Sequence, residues 1–158
     1  MFSNRLRILA PNGDFCRPFD EKASGFTRAD TICVIFLQRK KHSKRVYAEL
    51  LFSNSNNDGF KKEGSTFPSR LMQKSLIEDF FKQSSINPIL IDYVEAHSTG
   101  TRLGDPEEVS ALDEVYCKNV KRDHPLAIGS VKSNMGHAEA SSGVASIAKI
   151  LLTLETNK

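Results

Sequence analysis

No stretch of the 158 residues is apolar for long enough to cross a bilayer, since the longest such run, Thr31 to Leu37, falls far short of a membrane span. The opening stretch, Met1 to Asp14, lacks the apolar segment that a secretory signal needs. Neither sign of charge is in excess. The 22 basic and 19 acidic residues leave a formal charge of +3, too balanced to imply a nucleic-acid partner. Cysteine is scarce: Cys16, Cys33 and Cys117 are odd in number, widely spaced and without a C-x-x-C pair. That pattern argues against a disulfide framework or a zinc site and for reduced thiols in a cytoplasmic setting. Internal repeats and low-complexity segments are missing. So is a G-x-S-x-G turn, which makes a serine hydrolase a poor reading. Gly129 to Ser133 (GSVKS) has Val131 where a phosphate-binding loop needs Gly before its Lys. His97 and His137 would need a third ligand to hold a metal ion, and no other His or Cys has a suitable loop context.

What is present suits a folded domain or part of one, with 39% hydrophobic and 26% charged residues. Thr31 to Gln38 (TICVIFLQ) reads as a buried strand with Cys33 in its core. Val46 to Ser53 alternates, placing Val46, Ala48, Leu50 and Phe52 on one face of a second strand. The basic run between them, Arg39 to Arg45, reads as a solvated turn. Ser53 to Gly64 is a polar loop. After Pro68, the spacing of Leu71, Met72, Ser75 and Leu76 predicts a helix to about Gln83. A third strand follows at Ile89 to Glu95. A second helix should run from Asp105 to about Asn119, with Asp105 as N-cap, Pro106 at the first position, Glu108 closing a capping box, and Val109, Leu112 and Tyr116 on the apolar face. Leu126 to Val131 is a fourth strand. Glu139 to Leu154 is a last helix, apolar at Val144, Ile147, Ala148, Leu151 and Leu154.

Strands alternating with helices imply an α/β arrangement with a largely parallel sheet, in which ligands bind at the carboxyl ends of strands. His97 follows the third strand and His137 the fourth. Each sits in a loop of glycines and small polar residues, which lets a long, thin ligand approach the backbone. His42 and His124 have no such setting.

EAHSTGT (Glu95 to Thr101) with GDPEE (Gly104 to Glu108), then GSVKSNMGHAE (Gly129 to Glu139), resembles the two histidine loops of β-ketoacyl synthases. CRPFDEKASGFTRAD, from Cys16, resembles a segment lying after the nucleophile in those enzymes. NNDGFKKEGSTFPS, from Asn56, is more similar to the condensing domain of animal-type fatty acid synthases than to modular polyketide synthases. The resemblance implies part of a thiolase-like fold, with layered helices and a mixed sheet in two related halves. Residues 1–38 would end the first half, and residues 43–158 would form the second, short of its last strands. It also implies decarboxylative Claisen condensation of acyl and malonyl thioesters. The acyl group would ride on a cysteine upstream of this chain, and Cys16 matches a different family position.

In that scheme His97 and His137 donate hydrogen bonds to the enolate oxygen, each lowering the barrier by about 3–4 kcal/mol as an oxyanion-hole donor does. Lys132 keeps a nearby imidazole neutral. Asp105 and Glu108 match acids that join this lysine in a polar network. Thr99, Thr101 and Asn134 line the path of the substrate arm. No cofactor binds directly; the substrates ride on the phosphopantetheine of an acyl carrier protein domain, and the whole enzyme is a homodimer. Neither nucleic acid nor membrane is an expected partner. The histidine pair points to the elongating, decarboxylating class. Ser98 stands where the family usually has Gly, and it would be strained if the position needs positive φ. Ala138 stands where Pro is common. The alternative is a non-catalytic relic that binds carriers or pairs with a partner.

Overall fold

The computed structural model describes Leu9, residues 15–118 and residues 120–156. The reading of Met1 to Asp14 lies outside these apart from Leu9, as does the expected helix end at Asn119.

Helix α1 spans Arg70–Ser84. Ser69 caps it, its side chain accepting from the amide of Met72 at 3.3 Å, and Ser85 ends it in the left-handed conformation, its amide returning to the carbonyl of Phe81. A short 3-10 turn at Pro88–Leu90 leads into β1, Tyr93–Glu95. Helix α2 covers Gly104–Tyr116 and is followed by β2, Ala127–Gly129. The two strands pair in parallel, Tyr93 with Ala127, Val94 with Ile128 and Glu95 with Gly129, so β1, α2 and β2 form a crossover unit. A four-residue helix α3, Lys132–Met135, carries the chain to a 3-10 turn at Glu139–Ser141 and into α4, Ser142–Thr156.

The core lies between α1, α2 and the sheet. Phe81, Leu112 and Tyr116 are buried together, with Ile77, Phe80, Ile91, Val94, Val115 and Leu126 around them. Phe81 meets Tyr116 edge to face at 5.3 Å, the geometry that ring quadrupoles favour. Truncating Leu112 there would cost about 2–5 kcal/mol. Val109, expected on this apolar face, is exposed, because the face that packs is set by Ala111, Leu112, Val115 and Tyr116.

Three other expectations need correction. Thr31 to Gln38 forms no strand: Ile32 is 98% exposed, Val34 90% and Phe36 85%, and Cys33 is only half-buried. Val46 to Ser53 likewise forms no strand, and Leu50 and Leu51 are exposed. β-propensity makes a strand only where a neighbouring backbone completes the ladder, and among the described residues neither segment has one. The strands expected at Ile89–Glu95 and Leu126–Val131 shorten to three residues each, because the chain turns into 3-10 and helical geometry on either side. The basic run is a solvent-exposed turn around Lys40–His42, as expected. The helix at the chain's end begins at Ser142, with Ala145 buried and Ile147, Leu152 and Leu154 exposed.

Candidate active site

The parallel strands end side by side, and the chain leaves each one into a histidine loop. The amide of Ala96 still bonds to the carbonyl of Gly129 at 2.8 Å, and the hydroxyl of Ser130 donates to the carbonyl of Ser98 at 2.8 Å. The loops are thereby laced together, and the rings of His97 and His137 meet edge to face at 5.2 Å. Phe26 closes on His137 from another side at 4.9 Å. Its segment also supports the loops through the backbone. The amide of His137 donates to Thr27 at 2.7 Å, the amide of Ala29 to His137 at 3.1 Å, and the amide of Gly25 to Gly100 at 2.9 Å.

These contacts require glycine at two places. Gly100 has φ +86°, and a Cβ there would lie 2.8 Å from the amide nitrogen of Arg17; Gly136 has φ +84°, and its Cβ would lie 2.9 Å from the carbonyl oxygen of Thr27.

Asp105 and Glu108 do not form the expected capping box. Helix α2 begins one residue earlier, with Leu103 at the cap and no side-chain cap bond. The two acids reach outward to the loops instead. Glu108 accepts from the amides of His97 and Ser98 at 2.7 and 2.8 Å and from the Ser98 hydroxyl at 2.9 Å. Asp105, 5% exposed, accepts from the amides of Gly100, Thr101 and Phe19. Among the described residues the loop amides have no other partner, and that of Gly100 is buried, so they take the carboxylates in place of the helix-end amides. The Asp105 bond also anchors Phe19, a non-glycine residue at φ 64°. Ser98 is not among the residues with positive φ, so it carries no such strain, and its hydroxyl is put to use on Glu108.

Lys132 opens α3 and is 2% exposed. Burial pushes its pKa down, against the pull of Glu95, Glu108 and Asp105. His97 is pushed down by desolvation and then by Lys132; His137 is pushed down by desolvation, then by His97 and Lys132. Both rings therefore stay neutral further into acid than a free imidazole. His137 is 9% exposed and its Nδ1 is buried without a hydrogen-bond partner among the described residues. A bare lone pair is tolerated there better than an orphaned N–H, which favours the proton on Nε2.

Thr99 is buried beside His97, while the Thr101 hydroxyl accepts from the amide of Gly104 and so helps start α2. Asn134 is exposed, its Oδ1 accepting from Ser133. Cys16 is buried, exchanging hydrogen bonds with the backbone of Thr27, and burial pushes its thiol up, away from nucleophilic character. Cys117 lies exposed at the end of α2. His124 pairs with Asp92 at the surface. Among the described residues no cluster of His, Cys, Asp and Glu is built to hold a metal, and no helix is long and apolar enough to cross a membrane. Sequence reasoning passed over Glu95, an acid at the last position of β1 directly before the first histidine loop.

Residues 47–158 match the family described as β-ketoacyl synthase, C-terminal domain. The chain belongs to that family. It is 44% identical over 151 residues to a fatty acid synthase of Anser anser anser, covering 96% of this chain and 42% of that protein. A probable polyketide synthase of Dictyostelium discoideum is 39% identical over 155 residues, covering 95% of this chain and 6% of that one. Among solved structures, the ketosynthase from module 6 of the bacillaene synthase of Bacillus subtilis 168 superposes with a TM-score of 0.84 at 35% identity, covering 97% of this chain and 28% of that chain. An oxazolomycin ketosynthase domain of Streptomyces albus JA3453 gives 0.84 at 30% identity, over 96% and 27%. The chain thus has the thiolase-like ketosynthase fold in part, and it spans less than half the length of each of these relatives.

Proposed function

We propose that this chain supplies the histidine side of a condensing site, in which a malonyl thioester loses carbon dioxide and the resulting carbanion attacks an acyl thioester held on a cysteine. The observation that carries this reading is the neutral histidine pair at the ends of two parallel strands, rings 5.2 Å apart, with a buried lysine behind it. As the malonyl carboxylate leaves as carbon dioxide, its bonding electrons pass to the α-carbon and the thioester oxygen becomes negative. N–H donors from His97 and His137 meet that oxygen. The α-carbon then bonds to the acyl carbonyl carbon, and the cysteine leaves as thiolate. The acyl-carrying cysteine is none of Cys16, Cys33 and Cys117. Lys132 keeps the imidazoles unprotonated, Glu108 and Asp105 hold the His97 loop through its amides, and Thr99, Thr101 and Asn134 face the substrate arm. The substrates arrive on the phosphopantetheine of an acyl carrier protein domain, the whole enzyme works as a homodimer, and the reaction belongs to cytoplasmic fatty acid synthesis.

The test is made in a complete condensing domain carrying this segment, by following labelled carbon dioxide released from a malonyl thioester. His97→Ala and His137→Ala should each slow release about 10²–10³-fold with the far-UV circular dichroism unchanged. Near-normal release in either variant would defeat the assignment of that histidine.

A further inference from the structure

Glu95 is the anomaly of the sheet: a carboxylate at the last register position of β1, its side chain 6% exposed. A buried carboxylate persists only with partners, and this one has three. Its Oε2 accepts from the Tyr93 hydroxyl at 2.6 Å and from Lys149 Nζ at 2.6 Å. Lys149, reaching in from α4, also bonds the Tyr93 hydroxyl. The other oxygen, Oε1, accepts from the amide of Val131 at 2.6 Å.

That third bond crosses from β1 to the turn after β2. Val131 is the residue from which α3 starts, and it offers the helix no side-chain cap. Lys132 follows it directly, and Gly136 and His137 come one helical turn later. His97 lies two residues beyond Glu95 on the other side. One strand end therefore carries the first histidine and grips the turn that leads to the second.

We propose that Glu95, braced by Tyr93 and Lys149, is a positioning residue that holds the Val131 amide and so sets where Lys132 and His137 stand relative to His97. The electrostatics agree. Burial lowers the proton affinity of Lys132, and among the carboxylates that oppose it Glu95 comes first, ahead of Glu108 and Asp105. Burial would raise the pKa of Glu95 itself, but the bonds from Lys149, Tyr93 and Val131 outweigh it and keep the carboxyl ionised.

The catalytic consequence rests on the condensing reading; the structural one rests on the geometry alone, and the experiment separates them. Amide hydrogen exchange and malonyl decarboxylation are both followed in a complete condensing domain carrying this segment. Glu95→Ala should cost the amides from Val131 to Gly136 about 10- to 150-fold in protection, the range for a hydrogen bond to a charged group, while amides of Phe81 and Leu112 keep theirs. Decarboxylation should lose kcat by a similar factor at unchanged KM, the signature of an interaction that matters in the transition state. Glu95→Gln combined with Lys149→Met should restore both, since the glutamine carbonyl can accept from Val131 and no cation then opposes its amide. Equal loss of protection across α1 and α2 would reduce Glu95 to general support of the fold and overturn the proposal. Wild-type exchange at Val131 in Glu95→Ala, or a double variant as slow as the single one, would overturn it as well. If the wild-type domain released no carbon dioxide, the condensing reading would fall while the exchange pattern still decided the role of Glu95.

Discussion

Replacing Lys132 by methionine is expected to stabilise the fold while silencing the chemistry. The side chain is 2% exposed, and among the described residues no carboxylate lies within 4.0 Å of its ammonium. A charge so placed costs the folded state several kcal/mol, of which more distant carboxylates return only a part. Methionine matches the lysine stem closely and leaves little cavity. Nor does its introduction strand any acid. Glu95 keeps Lys149, Tyr93 and Val131; Glu108 keeps the amides of His97 and Ser98; Asp105 keeps Gly100, Thr101 and Phe19. The gain should be about 1–2 kcal/mol at pH 7, the lower part of the range for replacing buried ionic groups by apolar ones. With a urea dependence of about 2 kcal/mol per molar, the unfolding midpoint rises by about 0.5–1 M. The sign with pH follows from a folded pKa below the ordinary 10.5. Above pH 10.5 the wild-type lysine is neutral in both states and carries no penalty; as the pH falls through the folded value, the penalty develops in full. The gap between variant and wild type should be widest near neutrality and close towards alkaline pH. A destabilised variant, or a gap that stays constant up to pH 10.5, would refute the reasoning.

Three further outcomes are expected. Glu108→Gln turns one acceptor oxygen into a donor facing the amides of His97 and Ser98; it should cost about 2–3 kcal/mol in urea denaturation and slow decarboxylation, and a neutral effect on both would count against the loop-holding role. Gly136→Ala, at φ +84° and ψ −174° and with its Cβ 2.9 Å from the Thr27 carbonyl oxygen, should cost more than the roughly 1–3 kcal/mol of backbone strain alone, read as a lowered melting temperature. Both histidines have folded pKa values below the ordinary 6.5, so their contribution to stability is complete above pH 6.5 and lost as the pH falls through the folded values. Decarboxylation should therefore persist below pH 6.5 before collapsing, and an acid limb at or above 6.5 would contradict neutral donors.

The meeting of the two histidine loops was more legible than the scaffolding around them. His97 and His137 announce themselves because glycine and small polar residues surround each of them directly after an apolar strand, a local pattern that needs no knowledge of the rest of the fold. Helices α1 and α2 were legible from local spacing too, α1 through Leu71, Met72, Ser75 and Leu76 after Pro68 and α2 through Leu112 and Tyr116, although Leu71 itself is exposed. Asp105 and Glu108 show where local reading fails. Their spacing fits a capping box, yet Glu108 goes to amides of the loop that precedes the helix and Asp105 to amides of that loop and of Phe19. Nothing within four residues of Glu108 reveals that His97 and Ser98 will compete for it. The apolar segments at Thr31 and Val46 fail for the complementary reason, since a strand depends on a partner that its own residues do not specify.

The segment from Cys16 to Asp30 has a consequence for the order in which the protein is built. Its backbone bonds reach from residue 25 to residue 100 and from residue 27 to residue 137, so the histidine pair is buttressed only once two very long loops have closed. Helices α1 and α2 come together across far shorter stretches of chain. Loop-closure entropy grows with separation, and contacts distant in sequence form slowly. A folding chain should thus assemble its Phe81–Leu112–Tyr116 core first and gain two correctly juxtaposed imidazoles last, so that the proposed site is also the region most exposed to errors of assembly.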